Sequence, residues 1–134
     1  VSLDELPKFK NNLLDSEFTL LEGTIKNRDI TRIARTELNK KDIDHRFIGA
    51  LLNDHQKILR DVLGISTPKI DGMIEAALKA GAYGAKINGS GGGGCMFAYA
   101  PEDPEKVKAA IEDAGGEAFI IIADSGSRQE PVEE

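Results

Sequence analysis

A run of glycines between two short apolar segments constrains the fold of this chain more than any other feature. Residues 85–95 read Ala-Lys-Ile-Asn-Gly-Ser-Gly-Gly-Gly-Gly-Cys. Residues 83–87 before the run, and residues 95–100 at its end and beyond, alternate in the manner of β-strands. Because only a short loop joins these two segments, the sequence predicts an antiparallel pair of strands.

The glycine loop, residues 89–94, is also the predicted functional site. Glycine lacks a β-carbon, so successive main-chain N–H groups can turn toward one point and approach an anion closely, and phosphate is the predicted ligand. The predicted phosphate-binding residues are Lys86, Asn88, Gly89, Ser90, Gly91, Gly92, Gly93 and Gly94. Lys86 would act as a point cation, although strand alternation is equally compatible with a solvent-facing lysine. The alternative interpretation of the whole loop is a plain turn.

Two familiar glycine loops are excluded by the neighbouring residues. A Walker-type loop needs Lys and then Ser or Thr after its final glycine, whereas Cys95 and Met96 follow Gly94. A dinucleotide-binding fingerprint must begin a helix, whereas the segment after this loop has the pattern of a strand.

Composition narrows the class of protein. Net charge is −6, from 17 basic and 23 acidic side chains, and the basic residues form no stripe, which argues against a nucleic-acid partner. No apolar run reaches the roughly 18 residues that a membrane helix needs. Cys95 is the single cysteine, so the sequence predicts no disulfide, no zinc site and a cytoplasmic location. Cys95 itself is predicted to be a small buried residue. His55 is predicted in the core and His45 on the surface.

Helix signals place the remaining elements. Ser16 is predicted to cap a helix, or two helices joined near Asn27, that continues to Leu38. Later helices are predicted to begin at Asp42, at Thr67-Pro68 and at Asp103-Pro104, and to end at Gly64, Gly81 and Gly115-Gly116. Residues 118–123 are predicted to form a third strand. This order predicts an α+β fold, an antiparallel sheet with helices on one face and a ferredoxin-like core.

The domain organisation follows from the same pattern. Residues 1–15 are predicted to be a linker or short helix, residues 16–123 the folded domain, and residues 124–134 a flexible polar tail.

The glycine loop and its lead-in resemble a known family. Residues 84–98 resemble the third signature motif of the GHMP kinases, the superfamily of galactokinase, homoserine kinase and mevalonate kinase. Residues 42–66 look like the helical lead-in of galactokinase-type sugar kinases. The matching segments there are Leu51-Leu52-Asn53, Leu59-Arg60-Asp61 and Ser66-Thr67-Pro68.

The resemblance implies part of an ATP-dependent small-molecule kinase, most similar to a sugar kinase. The family's main ATP loop and catalytic carboxylate have no match here, so the expectation is a C-terminal domain whose partner is a separate N-terminal kinase domain. ATP and Mg²⁺ would be bound by the intact enzyme and not tightly by this domain, and the isolated chain is expected to be inactive. An alternative function is a non-catalytic ferredoxin-like domain that senses a metabolite.

Overall fold

The structure is a computed structural model that describes residues 1–123 and residue 126. A 3₁₀ helix over Leu6–Asn12 precedes four α-helices and two strands. The elements in chain order are α1 (Asp15–Leu38), α2 (His45–Asp61), α3 (Pro68–Lys79), β1 (Gly84–Asn88), β2 (Cys95–Tyr99) and α4 (Pro104–Asp113). The α+β fold is confirmed. The predicted polar tail, residues 124–134, lies outside the described residues except for Gly126.

Side-chain caps fix where several helices begin. Thr67 Oγ1 accepts the Ile70 N–H at 3.3 Å at the start of α3, and Asp103 Oδ1 accepts the Lys106 N–H at 3.1 Å at the start of α4. Both caps were predicted. The cap of α2 is Asp44 and not Asp42, because Asp44 Oδ1 accepts the Phe47 N–H at 2.9 Å.

Helix α1 is one uninterrupted helix that passes through Asn27. The prediction that Ser16 caps it was wrong. Glu17 supplies the capping carboxylate, which accepts the Leu14 N–H at 2.8 Å, so the helix begins at Asp15 and Ser16 lies in its first turn.

The two strands pair as predicted. They are antiparallel, with Lys86 opposite Phe97 and Asn88 opposite Cys95, so the glycine loop closes the hairpin. Ala85 and Ile87 are buried on one face, where they join a core formed mainly by α3 and α4. Its buried members are Leu59, Ile70, Met73, Ile74, Ala77, Ala82, Ala85, Ile87, Val107 and Ile111.

Helix α2 covers the outer edge of β1. A β-carbon on Gly84 would overlap the carbonyl oxygen of Gly49, so two glycines bring the backbones of helix and strand into contact. Further along, Asn53 and Gln56 of α2 bond the main chain of the strand. Asn53 donates to the Tyr83 carbonyl at 3.1 Å and accepts the Ala85 N–H at 3.1 Å. Side-chain amides thereby replace a neighbouring strand.

The third predicted strand is absent from the described part of the chain. Residues 118–123 have no regular structure, and Phe119, Ile121 and Ile122 are 75%, 83% and 91% exposed. A strand is defined by its hydrogen-bonded neighbour, and no described segment pairs with this one. The expectation of a strand here was therefore wrong for this structure, and the described sheet has two strands.

Candidate functional site

The glycine loop is exposed and has an unusual backbone. Gly89, Gly91, Gly92, Gly93 and Gly94 all have positive φ, between 74° and 120°. Residues 88–90 and 92–94 are exposed, and Gly91 is half-buried. A backbone of this kind is closed to most side chains and presents its main-chain groups to solvent.

The middle of the loop is attached to the turn between α2 and α3. The Gly92 N–H donates to the Ile65 carbonyl oxygen at 2.7 Å. A β-carbon on Gly91 would lie 2.5 Å from that oxygen and 2.8 Å from the Ile65 β-carbon, so only glycine fits there. Ile65 therefore determines where the centre of the loop lies.

The remaining N–H groups of the loop are free to bind a ligand. Within residues 1–123, no other main-chain N–H of residues 89–94 donates to a protein acceptor. The side chains of Asn88 and Ser90 likewise make no hydrogen bond to the described residues. Several donors concentrated in one exposed segment suit an anion better than a cation or an apolar group.

Lys86 lies on the sheet and not at the tip of the loop. Its Nζ donates to the Ile87 carbonyl at 2.6 Å and lies 5.4 Å from the centre of the Phe97 ring. The side chain is half-buried, and this burial lowers the pKa of the Lys86 ammonium. The structure thus places Lys86 three residues before the first residue of the loop, in contact with the strand pair.

The other singled-out residues divide between core and surface. His55 is half-buried, and its pKa is lowered by burial and then by the charge of Lys86. His45 is exposed as predicted and bonds Tyr99. Cys95 is exposed, which corrects the prediction of a buried thiol, because it lies on the face of the sheet that α3 leaves open. Arg60 and Asp61 pair with each other at 2.7 Å at the exposed end of α2.

Sequence reasoning missed the residues that hold β1 in place. Asn53 and Gln56 are polar residues three apart within the apolar stripe of α2, and Gln56 is 4% exposed. That spacing was the available signal, since a buried amide needs hydrogen-bond partners. Which partners these are depends on contacts about 30 residues away along the chain, as from Gln56 to Ile87.

A concave region at the other end of β1 is a poor match for phosphate. Arg46 lines it, but its guanidinium lies 4.4 Å from the centre of the Tyr83 ring and 3.3 Å from a carboxylate oxygen of Glu102. The nearby Glu102 carboxylate would repel a phosphate bound at this guanidinium. The glycine loop therefore remains the better candidate for an anion.

Side chains that commonly ligate metals do not gather at one place in the described residues. In that part of the chain, no three His, Cys, Asp or Glu side chains come together as possible ligands. No helix in the described part of the chain is long and apolar enough to cross a membrane.

Sequence comparisons match the chain to known proteins. Residues 34–130 match the family model for the C-terminal part of GHMP kinases. The chain is 48% identical to a mevalonate kinase of Thermococcus onnurineus over 98 residues, 71% of this chain and 29% of that protein. It is 37% identical to a mevalonate kinase of Pyrococcus abyssi over 134 residues, 98% of this chain and 37% of that protein. Identity to human galactokinase is 32% over 98 residues, 71% of this chain and 25% of that protein.

The fold is also found in a solved structure. L. major mevalonate kinase, determined in complex with R-mevalonate, matches 83% of this chain and 32% of its own length with a TM-score of 0.58 and 24% identity. The chain thus spans between a quarter and two fifths of the length of these relatives.

Proposed function

The chain belongs to the GHMP kinase family, and on that premise we propose that it is the C-terminal domain of an ATP-dependent small-molecule kinase whose glycine loop lies beside the nucleotide phosphates. The observation that carries the proposal is the loop itself. Within the described residues, the Gly92 N–H donates to Ile65 and holds the centre of the loop there, and the other main-chain N–H groups of residues 89–94 are unpaired, so these donors are both free and positioned.

The loop would contribute by binding and orienting negative charge. Main-chain dipoles that are fixed before the reaction stabilise charge on a transferring phosphoryl group without having to reorganise. ATP supplies the phosphoryl group. The catalytic base and the Mg²⁺ site are proposed to lie in the N-terminal kinase domain, since residues 88–94 carry no carboxylate. The chain alone is therefore proposed to be inactive and to bind ATP weakly. The whole kinase is proposed to be cytoplasmic.

Mevalonate is the acceptor that the comparisons favour. Identity to the mevalonate kinase of Thermococcus onnurineus is 48%, against 32% to human galactokinase over a segment of equal length. A galactokinase-like sugar kinase is the second candidate, supported by that galactokinase match and by the resemblance of residues 42–66 to sugar kinases.

A phosphorylation assay on the full-length kinase that contains this chain tests the proposal. The assay supplies ATP with mevalonate, galactose, other sugars or homoserine, and compares the wild type with a Gly92→Ala, Gly93→Ala double variant. Both glycines have positive φ, so alanine forces the main-chain donors to turn. We expect turnover of one acceptor, with mevalonate first, and at least tenfold slower turnover in the loop variant.

Gly72→Ala is the matched control, because Gly72 lies in α3, is exposed and has open space around it. The same chemical change there should leave turnover intact. If no acceptor is phosphorylated and ATP does not bind, the kinase proposal is wrong and the metabolite-sensing alternative takes its place. If the loop variant turns over like the wild type, the loop is a plain turn.

A further inference from the structure

Two supports of the glycine loop meet at one buried side chain, Gln56. Its Oε1 accepts the N–H of Ile87 at 2.9 Å, in the strand that leads into the loop. Its Nε2 approaches Ser66 Oγ at 3.5 Å, in the turn between α2 and α3. The side chain is 4% exposed, so water cannot readily replace either partner.

The turn is itself fixed and touches the loop. Ser66 Oγ donates to Asp71 Oδ1 at 2.6 Å, in the first turn of α3. The residue before Ser66 is Ile65, whose carbonyl accepts the Gly92 N–H at 2.7 Å and whose atoms block the position that a β-carbon on Gly91 would take. Gln56 therefore contacts both the strand that leads into the loop and the turn that holds the centre of the loop.

The short bond from Gln56 to Ile87 resists sliding of the strand, and the longer approach to Ser66 keeps the turn against the helix. A buried amide that loses one partner pays the full cost of leaving a polar group unsatisfied. The arrangement in which β1 and the turn both reach Gln56 is therefore favoured, because it leaves neither the Oε1 nor the Nε2 atom of Gln56 without a partner.

We infer that Gln56 is a positioning residue for the glycine loop, which holds β1 and the Ile65 turn at a fixed separation so that the free N–H groups face one location. The effect on conformation stands by itself. The effect on catalysis rests on the function proposed above for the loop.

Asn53 provides a matched control. It lies on the same helix and bonds the same strand through Tyr83 and Ala85, yet it makes no bond to the turn between α2 and α3. Gln56→Met and Asn53→Leu each replace an amide that bonds the edge of β1 with an apolar side chain of similar length, so both should destabilise the sheet. Only Gln56→Met releases the loop.

The first experiment measures amide hydrogen exchange in the 134-residue chain. Exchange at Gly92 in each variant is divided by exchange at Gly92 in the wild type, because an amide in an exposed loop exchanges through local opening, and exchange at the core amide of Ile74 reports the change in overall stability separately. We expect Gln56→Met to raise this ratio at least tenfold, and Asn53→Leu to leave it within twofold of the wild type. Equal ratios in the two variants would overturn the inference. If Gln56→Met does not fold, Ser66→Ala is measured in its place, with the same expectation.

The second experiment measures kcat and KM in the full-length kinase. A misplaced catalytic group slows the reaction while the acceptor, bound elsewhere, keeps its affinity. We expect Gln56→Met to lower kcat at least tenfold with KM for the acceptor within threefold, and Asn53→Leu to change kcat less than threefold. Normal kcat together with a raised Gly92 exchange ratio would refute the catalytic part alone. An inactive wild type would refute the proposed kinase and leave the exchange result to decide the positioning role.

Discussion

The contact between Gly91 and Ile65 allows a prediction with a built-in comparison. Gly91 and Gly92 have nearly the same backbone conformation, with φ of 76° and 74°. A β-carbon on Gly91 would lie 2.5 Å from the Ile65 carbonyl oxygen, whereas a β-carbon on Gly92 has nothing within 4 Å. Gly91→Ala and Gly92→Ala thus share the backbone cost and differ in the clash.

The magnitudes follow from these two terms. An alanine in the left-handed region costs about 1–2 kcal/mol, which is partly offset by about 0.4–1 kcal/mol from the reduced freedom of the unfolded chain. Gly92→Ala should therefore destabilise the chain by about 1 kcal/mol. Gly91→Ala adds an overpacking term of about 1–3 kcal/mol, because the atom it meets is backbone and cannot rotate away. The expected total for Gly91→Ala is about 2–4 kcal/mol.

Urea and thermal unfolding of the 134-residue chain measure the difference. A gap of about 2 kcal/mol between the two variants corresponds to roughly 5–10 °C in Tm for a chain of this size. Equal stability of Gly91→Ala and Gly92→Ala would refute the attachment of the loop to Ile65. A Gly92→Ala variant less stable than Gly91→Ala would refute it more strongly, since the order of the two costs would be reversed.

Three further predictions concern the rest of the domain. His55 has a lowered pKa in the folded chain, so the unfolded chain binds more protons near pH 6.5. The free energy of unfolding should therefore rise as pH increases up to about 6.5 and level off above it. In His55→Gln this rise should be smaller, when Tm is measured from pH 5 to 8. Ile121→Lys together with Ile122→Lys should leave Tm within about 2 °C and reduce aggregation in light scattering, because both side chains are more than four-fifths exposed; a large loss of Tm would contradict their exposure. Gly84→Ala should abolish cooperative unfolding, followed by circular dichroism, because its β-carbon would overlap the backbone of α2; a normal melt would contradict that close approach.

Local signals predicted most of the elements and few of their contacts. The caps Thr67 and Asp103 and the terminating Gly81 were read from short motifs, because a cap depends on residues within one turn of the helix. Asp42 and Asp44 are both suitable caps by type, and only the backbone geometry selects Asp44.

The errors lie where the outcome depends on distant residues. Residues 118–123 have the composition of a strand, yet a strand needs a neighbour that this part of the chain does not supply. Cys95 was expected to be buried by its type, but strand alternation turns it toward the open face of the sheet. The candidate site shows the same division: the sequence predicts the glycine loop as the binding segment, which stays a prediction, whereas the contacts of Gln56 and Ile65 that hold the loop are visible only in the folded chain.

The attachment of β1 to α2 also implies an order of assembly. The edge of β1 is completed by amides some 30 residues earlier in the chain, so the strand cannot be secured until α2 has formed and docked. The hairpin should then join a helical framework that already exists, and a synthetic peptide of residues 83–100 alone should remain unstructured. In a refolding experiment, amides of α2 should become protected no later than those of β1, and amides of β2 should follow.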